Sequence, residues 1–442
     1  MKPAAQTQLI AVFLLLIAVL LFNQRNEFVP SSWSSLHQRP KSPKEAFIKR
    51  TLESDINGPY EGLHLQNLCK ETKWTEGLIF SCTRVNGGFG NVRNVIQNCV
   101  RFAIEAGAAL VVPEIEARKI SDISSLEGNG DVTFDTFFDR PHFMSTLQRD
   151  CPQMQLIDDQ DNLWDRPTTG EPLGLRADDL DRTEWFILRD PALWRSEFDK
   201  WLKEQIIERP HLKGPSKDRP ILVSLEFPLL VWPADHDGPT TQSHFSHMLR
   251  NSLDIRILAA KVLYALSNQF HLRLQSSGIT PNAFLGAHLR TESDSAQAGW
   301  RGYDEQAGFY LEQAEAQNLS LIYLATGNHD DMERFKTEAW RDYDIVVTSK
   351  TDLLEGEELK ELKALRFDQQ GLVDFEVLLR ASSFAGPEQS SFSWTIALRR
   401  HVSSTRRDWL AERSDDSLED EFSTLYGWAT RSWRPFVRGL WP

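Results

Sequence analysis

Residues 77–113 carry the unit that most limits how this chain can fold. "GLIFSC" (77–82) is short and apolar, the pattern of a strand buried on both faces. "GGFGNVRN" (87–94) follows as a glycine-rich loop. From there to Ala106, apolar residues at Val92, Val95, Ile96, Val100, Ala103 and Ile104 keep the spacing of one helix face. "AALVVP" (108–113) is then a second strand. A glycine loop at a strand's C-terminal end, opening a helix, is how parallel α/β sheets present ligand sites. The glycines let backbone approach a ligand, and the helix start offers free N–H groups. The pattern is GGxGN and not the GxGxxG of a dinucleotide fold.

The second half repeats the architecture. "AFLGAHLR" (283–290), "LIYLAT" (321–326) and "DIVVTS" (344–349) read as strands, separated by helical patterns over 304–317 and 330–340. "GLVDFEVLLRAS" (371–382) is an amphipathic helix, "SFAG" a short strand, and "SSFSWTIALRRH" (390–401) a helix that opens with hydroxyl residues. The fold class is α/β, with two Rossmann-like domains.

Before the first of these lies a targeting signal. Lys2 precedes "LIAVFLLLIAVLLF" (9–22), and no A-x-A pattern follows. The reading is a signal anchor at 9–22 with a cytosolic tail at 1–8 and the body in the lumen of the Golgi or endoplasmic reticulum. Fourteen apolar residues fall short of the roughly 20 of a full span, so a cleaved signal peptide stays open as the alternative. Residues 23–59, rich in Ser, Pro, Lys and Arg, read as a stem. A lumenal body allows disulfides among the four cysteines, for which we expect Cys69 with Cys82 and Cys99 with Cys151. Asn318-Leu319-Ser320 is a glycosylation sequon. The formal charge of -14 excludes a polyanionic partner such as nucleic acid.

Three stretches in this order carry a family resemblance. "GGFGNVRNVIQNCVRFAIEAGAALVVP", "FLGAHLR" and "VDFEVLLRASSFAGPEQSSFSWTIALRR" resemble the motifs of the protein O-fucosyltransferases. The resemblance implies a GT-B glycosyltransferase, two Rossmann-like domains facing a cleft, that takes fucose from GDP-fucose to a protein or glycan hydroxyl, inverting and without a metal or cofactor. It implies that Arg290 meets the β-phosphate and stabilises the leaving group, with His288 beside it. Asn91, with Gly88, Phe89 and Gly90, matches the loop meeting donor and acceptor; Ser390, Ser391 and Phe392 match the diphosphate segment, and Asp374 the acid near the nucleoside.

Two departures stand out. Ser382 replaces the aspartate expected before "F-x-G", and no carboxylate lies in the glycine loop to act as base. Glu292 is the nearest candidate, either as base or as partner of Arg290. The departures leave open another GDP-sugar, or a non-catalytic lumenal binding protein of the same fold.

The remaining expectations concern boundaries and rival sites. An N-terminal domain over 60–275 and a donor-binding domain over 276–405 precede a helical extension over 406–442. Within that extension, the acidic "AERSDDSLEDEF" reads as a solvated connection, and Trp409, Trp428, Trp433 and Trp441 as residues that pack a terminal helix. His236, His244 and His247 have ligand chemistry but not a zinc spacing, and read as a polar connection lining the cleft. Arg93, on the helix after the loop, reads as solvated.

Overall fold

The computed structural model describes residues 40–119, 122–158, 171–181, 183–184, 186–405, 411–414, 417–427 and 434–442. The tail, the apolar run at 9–22, residues 23–39 of the stem, and Trp409, Trp428 and Trp433 lie outside these.

Two sheets organise the chain. The first has five parallel strands in the order Leu156–Ile157, Ala109–Val111, Leu78–Thr83, Ile221–Glu226, Leu173–Leu175. Its central strand is buried from Leu78 to Cys82, so the apolar run is continuous where a half-exposed strand would alternate. The second sheet runs Val346–Thr348, Leu321–Ala325, Leu285–His288, Ser383–Pro387, Ser423–Tyr426 in parallel, then adds Ser417–Glu419 and Ala411–Ser414 antiparallel.

The helix following the glycine loop runs Phe89–Ala106 and stops at Gly107, whose φ of 63° is left-handed. A side chain there would also meet the Lys73 carbonyl oxygen at 2.1 Å, so both conformation and space require glycine. The helix is buried along nearly its whole length, polar residues included. Arg93 is therefore not solvated. It is 1% exposed, and its guanidinium donates to the carbonyls of Ser246 (2.8 Å), Leu249 and Pro442 (3.2 Å). Asn94 donates to Gly439 O at 2.7 Å, and Asn98 accepts from the Trp441 indole at 2.7 Å. The segment 434–442 thus returns to cover the first half.

Three further expectations are corrected. The disulfides are Cys69–Cys151 and Cys82–Cys99: the first ties helix Leu63–Glu71 to the end of helix Arg140–Asp150, the second ties the central strand to the helix behind it. The stem ends before Tyr60, because Pro43–Leu52 is a helix capped by Ser42, with Phe47 buried against Tyr264 and Lys44 paired to Glu358 at 2.7 Å. The acidic stretch after residue 410 is not a solvated connection in a helical extension, since it supplies strands to the second sheet and, among the described residues after 405, only Arg434–Gly439 is helical. Asn318 is exposed, in a left-handed turn between a helix and a strand.

Candidate active site

The two sheets meet where two helices begin. Helix Phe89–Ala106 starts at Gly88 without a side-chain cap, and helix Ser391–His401 starts at Ser390, whose hydroxyl accepts from Ser393 N. Gly90 packs directly on Ser391. Phe89 from the first half packs edge-to-face on Phe375 (5.1 Å between centroids) and Phe392 (6.5 Å) from the second. Two helix N-termini, each a source of free N–H groups and partial positive charge, therefore open on the same space.

That space is a cavity of about 530 Å³, within the range of small-ligand sites. Gly88, Phe89 and Asn91 line it from the first half; His288, Arg290, Glu292, Asp374, Ser390, Ser391 and Phe392 line it from the second. Gly90 alone of the expected residues does not, being taken up by the contact with Ser391.

Arg290 follows the strand Leu285–His288 and is 8% exposed. Its backbone is clamped by Gln306, which accepts from Arg290 N (3.0 Å) and donates to Arg290 O (2.9 Å). The guanidinium is held by two carboxylates, Glu292 and Asp294, the latter at 2.7 and 2.5 Å. Glu292 also accepts from Gly327 N (3.0 Å) and Thr291 N (3.1 Å). With both oxygens engaged, Glu292 is built as the partner that aims Arg290 and not as an open base.

His288 shares a hydrogen bond of 2.8 Å with the Ser393 hydroxyl through Nδ1, and its ring sits 4.7 Å from that of Phe392. Burial, and then the neighbouring Arg290 charge, push its pKa down to about 3, so the imidazole is neutral at physiological pH.

Asp374 accepts from the Tyr323 hydroxyl at 2.7 Å and from the Lys350 ammonium. Burial pushes this carboxyl above its usual range, while Lys350 and Tyr323 pull it back. Lys350 also lines the cavity, and sequence reasoning missed it. Its signal was position: it directly follows the 344–349 strand, at the C-terminal edge where α/β sheets bind ligands. Asp294, four residues after Arg290, was missed too.

Ser382 does not line this cavity. Its hydroxyl accepts from Ala283 N (2.6 Å) and Phe284 N (3.0 Å) and donates to Thr280 O (2.7 Å), fastening the entry to a strand. Nor do His236, His244 and His247 line it: His244 stacks on His64 at 5.6 Å, and His247 is buried elsewhere. Among the described residues no group of three or more His, Cys, Asp or Glu side chains is arranged to hold a metal ion.

The sequence profile of GDP-fucose protein O-fucosyltransferase matches residues 78–403 of this chain. O-fucosyltransferase 38 of Arabidopsis thaliana is 28% identical over 167 residues, which make up 34% of this chain and only 31% of that relative's length. Among solved structures, POFUT1 in complex with GDP-fucose is 13% identical, covering 81% of this chain and 99% of that one with a TM-score of 0.46. The fucosyltransferase NodZ from Bradyrhizobium is 17% identical, covering 73% of this chain and 93% of that one with a TM-score of 0.36. Both structures are distant likenesses.

Proposed function

Since the chain belongs to the GDP-fucose protein O-fucosyltransferase family, we propose that it transfers fucose from GDP-fucose to a hydroxyl of a protein or glycan acceptor, with inversion and without a metal ion, in the GT-B arrangement. One observation carries this reading. Arg290, the two helix starts at Gly88 and Ser390, and Asn91 all open on the same cavity.

Breaking the bond between sugar and diphosphate builds negative charge on the departing GDP. A guanidinium and two helix N-termini aimed at that charge stabilise the transition state more than the ground state, the task a metal ion performs in other transferases. Ser390 and Ser391 hold the diphosphate, and Arg290 neutralises it as it leaves. The Lys350–Asp374 pair lies at the end of the second-sheet cavity wall, where the nucleoside is accommodated. Asn91, on the opposite wall, orients the acceptor hydroxyl. Attack from the side facing away from the diphosphate inverts the sugar carbon, and an oxocarbenium-like transition state requires no strong base.

The apolar run at 9–22 serves, in the same proposal, as a membrane anchor in the Golgi or endoplasmic reticulum. The paired cysteines support an oxidising lumen for the body. Calorimetry of the purified chain against GDP, GDP-fucose and other GDP-sugars tests the reading: GDP-fucose is expected to bind and to yield GDP with an acceptor preparation. A chain that binds no GDP-sugar overturns it.

A further inference from the structure

A second cavity, of about 210 Å³, shares no lining residue with the first. It is roofed by the turn after helix Pro43–Leu52 and walled by both halves. Four guanidiniums line it: Arg250 and Arg256 from the start of helix Leu253–Gln269 and the residues before it, Arg380 from the end of helix Phe367–Leu378, and Arg399 from helix Ser391–His401.

Three carboxylates face them. Asp55 accepts from Arg399 Nη2 at 2.8 and 3.0 Å, Glu376 from Arg380 Nη1 at 3.2 Å, and Asp139 from Arg250 Nε at 2.9 Å. A fourth, Glu53, stands at the rim with its side chain 62% exposed and Lys49 at 3.8 Å. With that rim carboxylate set aside, four guanidiniums, of which Arg250 is the most exposed, face three carboxylates. Arg399 and Arg380 are 4% and 6% exposed, yet the Nε of each is buried with no hydrogen-bond partner among the described residues. His247, 5% exposed, lines the same cavity with no hydrogen-bond partner on either ring nitrogen among the described residues.

The titration of two groups reports the same field. Burial acts to raise the Asp55 carboxyl, but Arg399, His247 and Arg380 hold it well below the usual carboxylate range. Burial and then Arg399 push His247 down to about 4, against the opposing pull of Asp55. Positive charge enclosed without full compensation is costly, and guanidinium forks with free N–H groups are the protein's fittest partner for a planar or tetrahedral oxyanion.

We propose that this cavity binds one small tetrahedral oxyanion of the phosphate or sulfate class, held between Arg399, Arg380 and Arg250. The volume suits such an ion with a few waters and is far short of the cavity assigned to the nucleotide sugar. Bound there, the ion ties the turn at residues 52–60 to both halves of the molecule, so its occupancy sets how firmly the halves are joined.

The test is thermal melting and calorimetry of the full-length chain with sodium phosphate, sulfate or chloride at fixed ionic strength. Phosphate and sulfate are expected to raise the midpoint by a few degrees with saturation, and chloride is not. Arg250→Gln, the most exposed of the arginines, is expected to weaken phosphate binding about tenfold or more, on the scale of one lost charge-assisted hydrogen bond. Should that variant fail to fold, Arg250→Lys keeps the charge but loses the fork, and is expected to weaken phosphate in the same direction. Arg290→Ala, in the other cavity, is expected to keep the saturable phosphate effect that the Arg250 variants weaken. Chloride matching phosphate, an undiminished effect in the Arg250 variants, or loss of the effect in Arg290→Ala would each overturn the proposal.

Discussion

Gly90 and Ser391 touch across the junction of the two halves: a Cβ added to Gly90 would lie 2.5 Å from the carbonyl carbon and oxygen of Ser391. The obstacle is backbone, which has no rotamer by which to step aside. Gly90→Ala must therefore push the two helix starts apart, at a cost of about 1–3 kcal/mol by the scale of overpacked cores. We expect a lower melting midpoint and GDP binding weakened about tenfold. Gly88→Ala is the contrast, since nothing lies within 4 Å of a Cβ there, and it should melt like wild type. Equal melting curves for all three proteins would show that the halves do not meet at Gly90.

Removing Arg290 should affect the chemical step more than folding. Arg290→Ala leaves Glu292 and Asp294 without their cation but removes the charge that balances the leaving diphosphate. The expected loss of turnover is about 10²-fold or more, by the scale of one deleted transition-state donor. GDP release from GDP-fucose measures it, with far-ultraviolet circular dichroism as the folding control. A variant with wild-type turnover would remove Arg290 from the mechanism.

Glu292 separates two mechanisms. As a general base, its loss would slow turnover about 10²–10⁴-fold. As the partner of Arg290, Thr291 N and Gly327 N, Glu292→Gln keeps the shape and relieves a competitor of the diphosphate. We expect GDP affinity equal to or above wild type, with turnover down less than about tenfold, far short of a base's loss. Steady-state kinetics beside calorimetry decide between them.

The disulfides close loops of unequal length, with a sequence separation of 82 for Cys69 and Cys151 and of 17 for Cys82 and Cys99. Chain-entropy scaling assigns them about 4.5 and about 3 kcal/mol respectively. Cys69→Ser with Cys151→Ser should thus lower stability more than Cys82→Ser with Cys99→Ser, as read by urea unfolding. Peptide mapping of unreduced protein should return these two pairs, and a Cys69–Cys82 peptide would refute the connectivity.

His288 makes stability depend on pH in a definite direction. Its pKa falls from 6.5 to about 3 on folding, by burial first and then by Arg290. Between those values the unfolded chain takes up a proton that the folded chain refuses, so the stability is full above pH 6.5 and is lost as pH falls towards 3. From pH 7.5 to 5.0 the loss from this group is on the order of 2 kcal/mol. His288→Asn should lose less over the same interval in urea titrations, and equal losses would mean the imidazole is not buried neutral.

How much of this was legible in the sequence depended on where the causes lay. The strand, glycine loop and helix at 78–106 were legible because local period and glycine spacing determine them. The same holds for the strands ending at His288, Ala325 and Thr348. Disulfide pairing was not, since it follows from which elements lie side by side in three dimensions. Arg93 was misread for a related reason: nothing near it in sequence says that residues 434–442 will cover it. Lys350 sat in plain view after a strand, but a single lysine has no motif. The acidic run after residue 410 looked solvated because charge was read without the sheet edge that pairs it.

The return of Trp441 and Gly439 to the helix at 89–106 also bears on how the molecule is made. Asn98 and Trp441 are 343 residues apart. At a synthesis rate of roughly 5–20 residues per second, the second partner follows the first by about 17–70 seconds. Throughout that delay Arg93, Asn94 and Asn98 each lack one of the partners they have in the finished molecule, though Arg93 can still reach Ser246 and Leu249 and Asn98 can reach Pro228. The first half therefore carries buried polar groups on its central helix whose final partners are made only when residues 439–442 have been synthesised.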